Sequence, residues 1–247
     1  MGRITEAIKH LLIINILFFV ATQLYGDQMY QWFSLWFPKN ENFGLWQILS
    51  HMFMHGGFMH ILFNMYALWA FGTPLEQMWG RNKFFFFYFS AGLGAALIHT
   101  GVNYYHFNEG MSALVEAGIS ESSIMEIISG GQYSPGWYEI AGKATIDDFL
   151  SAYNTPAVGA SGAIYGVLVA FGMSYPNSEL FLMFIPVPVK AKYFIPVLIG
   201  LDLFSGVTGY SLFGQGIAHF AHIGGALFGF LMMWYWKKNQ FNNNRWN

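Results

Sequence analysis

Residues 193–236 read YFIPVLIGLDLFSGVTGYSLFGQGIAHFAHIGGALFGFLMMWYW, forty-four residues with a single charge, Asp202. A helix needs about 20 apolar residues to cross the hydrocarbon core of a bilayer. This stretch is long enough for two, with a turn near Gly206–Gly216. The same reading applies to the uncharged runs between Lys9 and Asp27, Glu41 and Glu76, Phe84 and Phe107, and Phe149 and Ser178. Six spans result, near 10–26, 57–75, 84–103, 157–175, 193–211 and 217–236. Composition agrees. Hydrophobic residues are 55% of the chain and charged residues 10%, against roughly 25% charged in a soluble domain. Too few charges remain to cover a water-exposed surface, and the chain is too apolar for disorder. A net charge of −2 exerts no pull toward nucleic acid. The absence of cysteine excludes disulfides, Cys-ligated zinc and a thiol nucleophile.

Lipid leaves no unpaired backbone, and no segment alternates like a barrel strand, so the spans are helices. The expected fold is an all-α membrane protein, a six-transmembrane-helix bundle forming a single domain over 1–247. With six spans, Arg3, Lys9, Arg81, Lys83, Lys190, Lys192, Lys237, Lys238 and Arg245 fall on the side of the termini, and Lys39 and Lys143 on the other. That bias places both termini in the cytoplasm. The opposite face is acidic, with Asp27, Glu41, Glu109, Glu116, Glu121, Glu126, Glu139, Asp147 and Asp148. The N-terminus has the basic start and apolar run of a signal peptide but no small-x-small cleavage site, so it reads as an uncleaved first span. Residues 27–56 are rich in Trp and Phe and read as an interfacial loop. Residues 104–156 form a long external insertion between helices 3 and 4, with helix-start signals at Ser123-x-x-Glu126 and Thr145-x-x-Asp148.

Polar residues inside spans mark candidate function. His60 and Asn64 share one face of the second span at i, i+4. Ser161 lies in Gly159-Ala160-Ser161-Gly162 at the start of the fourth, and His222 in His219-Phe220-Ala221-His222 near the start of the sixth. These three spans run inward from the external side. At 1.5 Å per residue, all four residues lie at a common depth, on the order of 10 Å below the outer surface. Ser161 shares a face with Tyr165, beside Gly162 and Gly166, and His222 with Gly225 and Gly229. Small residues let helix backbones approach closely in lipid, near enough for a Ser–His pair to form. Taken singly, a serine between glycines also reads as helix packing, and an intramembrane histidine as an interhelical hydrogen bond.

Three segments resemble the rhomboid intramembrane serine proteases. They are His51-Met-Phe-Met-His55-Gly-Gly-Phe-Met-His60-Ile-Leu-Phe-Asn64, Gly159-Ala160-Ser161-Gly162 followed by Tyr165, and Ala221-His222-Ile-Gly-Gly225-Ala-Leu-Phe-Gly229. Glu76 before Trp79-Gly80 fits the end of the same second-helix pattern. The similarity covers about 43–103 and 156–236. It implies Ser161 as nucleophile and His222 as general base. It also implies His60, Asn64 and the Ser161 N–H as oxyanion donors, Tyr165 packed on the His222 ring, and Gly225 and Gly229 as close-packing positions. It further implies transmembrane protein substrates, membrane lipid as surroundings, a bacterial-type plasma membrane, and no metal or cofactor. Two departures stand out. Trp46-Gln47 replaces the family's frequent Trp-Arg, and the 104–156 insertion exceeds the minimal bacterial form. Asp202 is expected to be a buried or water-contacting polar residue outside the catalytic unit, which reads as a dyad. The rival functions are a non-catalytic binder of transmembrane helices and a metal transporter using His51, His55, His60, His219 and His222. The transporter reading is opposed by the lack of an intramembrane carboxylate in that cluster and of a His-Glu-x-x-His motif.

Overall fold

The computed structural model describes residues 4–182, 185–210 and 218–243. In chain order its helices begin with α1 (Glu6–Tyr25), α2 (Asp27–Phe33) and α3 (Gln47–Ser50), the last followed by a 3-10 turn at His51–Phe53. Next come α4 (Phe58–Trp79), α5 (Arg81–Glu116), α6 (Glu121–Ser129), α7 (Trp137–Ala141), α8 (Lys143–Asn154) and α9 (Ser161–Ser174). A two-stranded antiparallel hairpin, β1 (Glu179–Leu182) and β2 (Ile185–Lys190), leads to α10 (Ala191–Thr208) and α11 (His219–Asn243). The chain is therefore mostly helical, and each expected span overlaps a helix over its described residues. α1, α5 and α10 are long and apolar enough to cross a membrane, and α9 is a shorter apolar helix. The turn expected near Gly206–Gly216 falls largely on 211–217, outside the described residues.

Three expectations are corrected. The chain is not purely helical, because β1 and β2 pair between α9 and α10. The helix that carries the third span does not end at 103. No proline or left-handed glycine interrupts the chain before Gly118, at φ 91°, so α5 continues over 36 residues, about 54 Å, well beyond the roughly 30 Å hydrocarbon layer. The insertion therefore begins as a continuation of α5. Its short helices also start elsewhere than expected. Ser120 caps α6, its hydroxyl accepting the Ser123 N–H at 3.2 Å, and the earlier start buries Ile124 and Ile128 together. α8 starts at Lys143, after Gly142 at φ 78°.

Two cores result. The larger gathers Ile8, Leu11, Leu68, Phe84, Phe87, Tyr88 and Val167 between α1, α4, α5 and α9. The smaller packs Phe107, Leu114, Ile124, Trp137 and Phe149 of the insertion around Phe37 of the first loop. In that loop Gln47 is buried. Its Nε2 donates to the carbonyls of Gln31 (3.0 Å), Trp32 (3.3 Å) and Asn42 (2.7 Å), and its Oε1 accepts the Trp36 N–H at 3.3 Å. The neutral amide thus gathers loop carbonyls at the position where an arginine is frequent.

α1 has no side-chain cap of its own. Glu76, from the last turns of α4, supplies one. Its carboxylate accepts the N–H of Ala7 at 2.7 Å and of Ile8 at 3.0 Å, and the Thr5 hydroxyl. An acidic group on the positive end of a helix is favourable, and here it also satisfies donors buried away from water. Glu76→Ala is therefore expected to cost about 2–4 kcal/mol by leaving buried N–H groups unpaired, read as a lower midpoint of thermal unfolding in detergent.

α11 lies against α5 and α9, and glycines set the spacing. A Cβ on Gly225 would stand 1.8 Å from the Gly162 carbonyl oxygen, and one on Gly229 would stand 2.6 Å from the Gly166 Cα. The obstacles are backbone atoms, which no rotamer change can move. Gly225→Ala is expected to force α9 and α11 apart, lowering thermal stability and abolishing any chemistry that joins the two helices. Gly200→Ala, with open space around its Cβ position, serves as the tolerant control in the same assay.

Candidate active site

Ser161 is the first residue of α9, and His222 lies in the first turn of α11. The glycine contacts bring their side chains together, with His222 Nε2 and Ser161 Oγ 2.8 Å apart. The His222 ring stacks on Tyr165, with centroids 4.2 Å apart and planes within 11°. Tyr165 and His222 are thus in the contact that the resemblance implies.

The other ring nitrogen of His222 is also engaged, which sequence reasoning missed. Nδ1 lies 3.2 Å from Asp202 Oδ1. Asp202, expected to be a buried or water-contacting residue outside the catalytic unit, is in contact with the histidine of the Ser–His pair. It is buried, 2% exposed, and α10 packs against α11 so that the carboxylate faces the imidazole. Tyr165 donates its hydroxyl to Asp202 Oδ2, and His219 Nδ1 approaches Oδ1 at 2.5 Å. The acceptor at Nδ1 settles the neutral tautomer. His222 carries its proton on Nδ1 and presents the Nε2 lone pair to the serine hydroxyl. The only sequence signal was Asp202 itself, the single charge in 44 residues.

Candidate oxyanion donors are the first amides of α9, His60 and Asn64. No side chain caps α9, so the amides of its first turn keep the unpaired, positive end of the helix. Gly159 (φ 125°) makes the turn into α9, and its N–H donates to His51 O at 2.9 Å. A Cβ there would meet His60 Nε2 at 2.9 Å and Ser161 Oγ at 3.5 Å, so the His60 ring edge and the serine flank the same point. His60 Nδ1 accepts the Gly56 N–H at 3.4 Å, which leaves the proton on Nε2, toward that point. Asn64, one turn further along α4, is buried, and its Nδ2 has no hydrogen-bond partner among the described residues. A buried amide donor left unpaired is costly and is ready for an incoming acceptor. Small residues, among them Gly92, Ala95, Gly162 and Ala163, line a narrow cavity beside Ser161, with His51 and His99 as its polar members.

The remaining histidines do not form a metal cage among the described residues. His51 and His55 are buried, and desolvation pushes both down to about 4, with His60 adding to the effect on His55. Both are neutral at neutral pH. Only Asp202, His219 and His222 bring three ligand atoms within 4.8 Å of one another among the described residues. The carboxylate thought to be missing from the histidine cluster is thus present, beside the two histidines of the sixth span rather than those of the second.

Comparison with known proteins fits this geometry. The Rhomboid domain model matches residues 42–140 and 140–239. The chain is 26% identical over 191 residues to Rhomboid protein 1, mitochondrial, of Saccharomyces cerevisiae, covering 77% of this chain and 42% of that protein. It is 28% identical over 189 residues to the human Presenilin-associated rhomboid-like protein, mitochondrial, covering 76% and 36%. It is also 28% identical over 197 residues to Rhomboid protease AarA of Providencia stuartii, covering 76% and 54%. The chain thus spans about a third to a half of the length of these relatives. A match across most of its helices, on the segments that carry Ser161 and His222, makes this chain a member of the rhomboid family of integral membrane proteins.

Proposed function

We propose that this chain is an intramembrane serine endopeptidase that cleaves transmembrane-helix substrates near the external membrane face. The observation that carries the reading is the 2.8 Å contact between His222 Nε2 and Ser161 Oγ. The name of the Providencia stuartii relative, a rhomboid protease, supports it. Six helices, α1, α4, α5, α9, α10 and α11, cross a bacterial-type plasma membrane with both termini cytoplasmic. The lysine and arginine asymmetry supports that orientation. Exposed Leu17, Leu24, Val197 and Phe204 suit contact with lipid tails, and exposed Trp32, Leu45 and Trp46 suit the interface.

In the proposed mechanism the Ser161 hydroxyl attacks the scissile carbonyl while His222 Nε2 takes its proton. Asp202 holds the His222 tautomer and stabilises the imidazolium as it forms, so it is a positioning residue. The oxyanion of the tetrahedral intermediate accepts from the Ser161 N–H, His60 Nε2 and Asn64 Nδ2. His222 then passes its proton to the leaving amine, and water hydrolyses the acyl-enzyme. A substrate helix hides its carbonyls in internal hydrogen bonds. Segments with small or helix-destabilising residues therefore unwind into the site most readily, and the small side chains beside Ser161 suit them. The residues of the site supply a nucleophile, a base and oxyanion donors without a cofactor.

Ser161→Ala is expected to abolish cleavage of a model single-span substrate and labelling by a fluorophosphonate probe, with membrane insertion unchanged. Unlabelled wild-type protein that still captures the substrate would instead establish a non-catalytic binder. His60→Ala is expected to lower the cleavage rate by roughly 10²–10³. Asp202→Asn presents an amide to Nδ1 and favours the wrong tautomer. It is expected to lower kcat by roughly 10²–10⁴ with little change in KM, measured in proteoliposomes. A KM effect without a kcat effect would remove Asp202 from the mechanism.

A further inference from the structure

We propose that Asp202 Oδ1, His219 Nδ1 and His222 Nδ1 form a binding site for a divalent transition-metal ion, zinc above all, that silences Ser161 when occupied. Three observations converge. First, all three ligand atoms lie within 4.8 Å of one another, with Oδ1 at 2.5 Å from one imidazole nitrogen and 3.2 Å from the other. Zinc bonded at about 2.0–2.1 Å to tetrahedral ligands holds them roughly 3.3 Å apart. One ion therefore replaces two hydrogen-bonded protons with only small shifts. Second, His219 and His222 sit at i, i+3 on one face of α11, next to Ala218, which lines the cavity beside Ser161. Their side chains keep 10% and 12% exposure, so neither imidazole is fully sealed off. Third, Asp202 is a buried carboxylate whose partners among the described residues are Tyr165 and the two histidines. Among the described residues no lysine or arginine pairs with it. With neutral imidazoles its charge is uncompensated, and a divalent cation supplies the compensation. Two imidazoles and a carboxylate make up a donor set that suits zinc.

Occupancy has a defined chemical consequence. A neutral imidazole has one N–H. When zinc takes the Nδ1 lone pair of His222, the proton from Nδ1 is lost to solvent and one is regained at Nε2, with no net change in charge on the ring. Nε2 then donates toward Ser161 Oγ and can no longer accept its proton. The serine is left without a base.

The silencing rests on the protease reading, whereas the site does not. The first experiment therefore uses the Ser161→Ala protein in detergent and measures zinc after removal of free metal. One equivalent per chain is expected, falling to none with His219→Ala added. X-ray absorption of the zinc form of Ser161→Ala, which needs no change at His219, is expected to report two imidazoles and nitrogen or oxygen ligands at about 2.0–2.1 Å. Failure to retain zinc, or a first shell without imidazole, overturns the site. In wild-type proteoliposomes zinc is expected to inhibit cleavage and a chelator to restore it. The zinc concentration for half-inhibition is expected to rise at least about tenfold in His219→Ala, each protein being normalised to its own zinc-free rate. Cleavage that zinc leaves untouched overturns the silencing. Zinc uptake by a chain that never cleaves supports the site and counts against the protease.

Discussion

The contact on which the rest of the molecule depends is between two backbones. α9 and α11 meet along Gly162, Gly166, Gly225 and Gly229 so closely that a single methyl group at Gly225 would lie inside the Gly162 carbonyl. Helices separated by ordinary side chains run 8–10 Å apart. At that distance a serine at the start of one helix and a histidine in the first turn of another have slack between them. Here the spacing is set by groups that have no rotamers. The 2.8 Å between Ser161 and His222 therefore follows from the fold and not from side-chain choice. The same closeness lays Tyr165 flat against the imidazole and removes the ring's freedom to turn.

The second fixed element is the strap from Thr155 to Ala160 that delivers Ser161. It is pinned at both ends. Ala157 and Leu35 exchange backbone hydrogen bonds of 2.9 Å in each direction, and Gly159 donates to His51. The first loop that receives these bonds is itself held by the Gln47 amide and joined to α8 through Asn40 Nδ2 to Tyr153 O at 2.9 Å. The external insertion is thus more than an appendage. Its core, closed by Phe37, ties the first loop to the turn that precedes the nucleophile. The amide and ring donors near Ser161 are oriented before any substrate arrives, which is the condition under which such donors lower a barrier.

The parts legible in the sequence are those encoded locally. Runs without charge locate the helices, and His-x-x-Gly-x-x-x-Gly after Ala221 marks a close-packed face because spacing along one helix determines that face. Gln47 was noticed as a substitution, but its part in gathering loop carbonyls depends on Gln31, Trp32 and Asn42 arriving from two other turns. The hairpin escaped because Pro186 and Pro188 argue against a strand. The long α5 escaped because hydropathy reports where lipid ends and not where a helix ends. Asp202 was the largest omission. It is 20 residues from His222, in another helix, across a connection whose length says nothing of the register between α10 and α11. A lone acid in an apolar run is readable as an anomaly. Which partner it meets is a tertiary fact.

That anomaly bears on why the site is built as it is. A carboxylate at 2% exposure costs several kcal/mol in desolvation, and a bundle of this kind could pack a leucine there more cheaply. The cost is offset only by groups that donate to it, and among the described residues the donors are Tyr165, His219 and His222. Tyr165 needs no acceptor to stack on the imidazole, and His219 could reach water. His222 differs from the other two partners in that its second nitrogen lies against the Ser161 hydroxyl, so under the proposed protease function it is the partner whose chemistry the carboxylate changes. The oxygen that faces His222 Nδ1 is also shared with His219, so anything binding both imidazoles through that oxygen competes with the orientation that the carboxylate imposes. Under the two proposals, orientation of the base and capture of a cation are therefore alternative uses of one atom, Asp202 Oδ1, and the site would serve only one at a time.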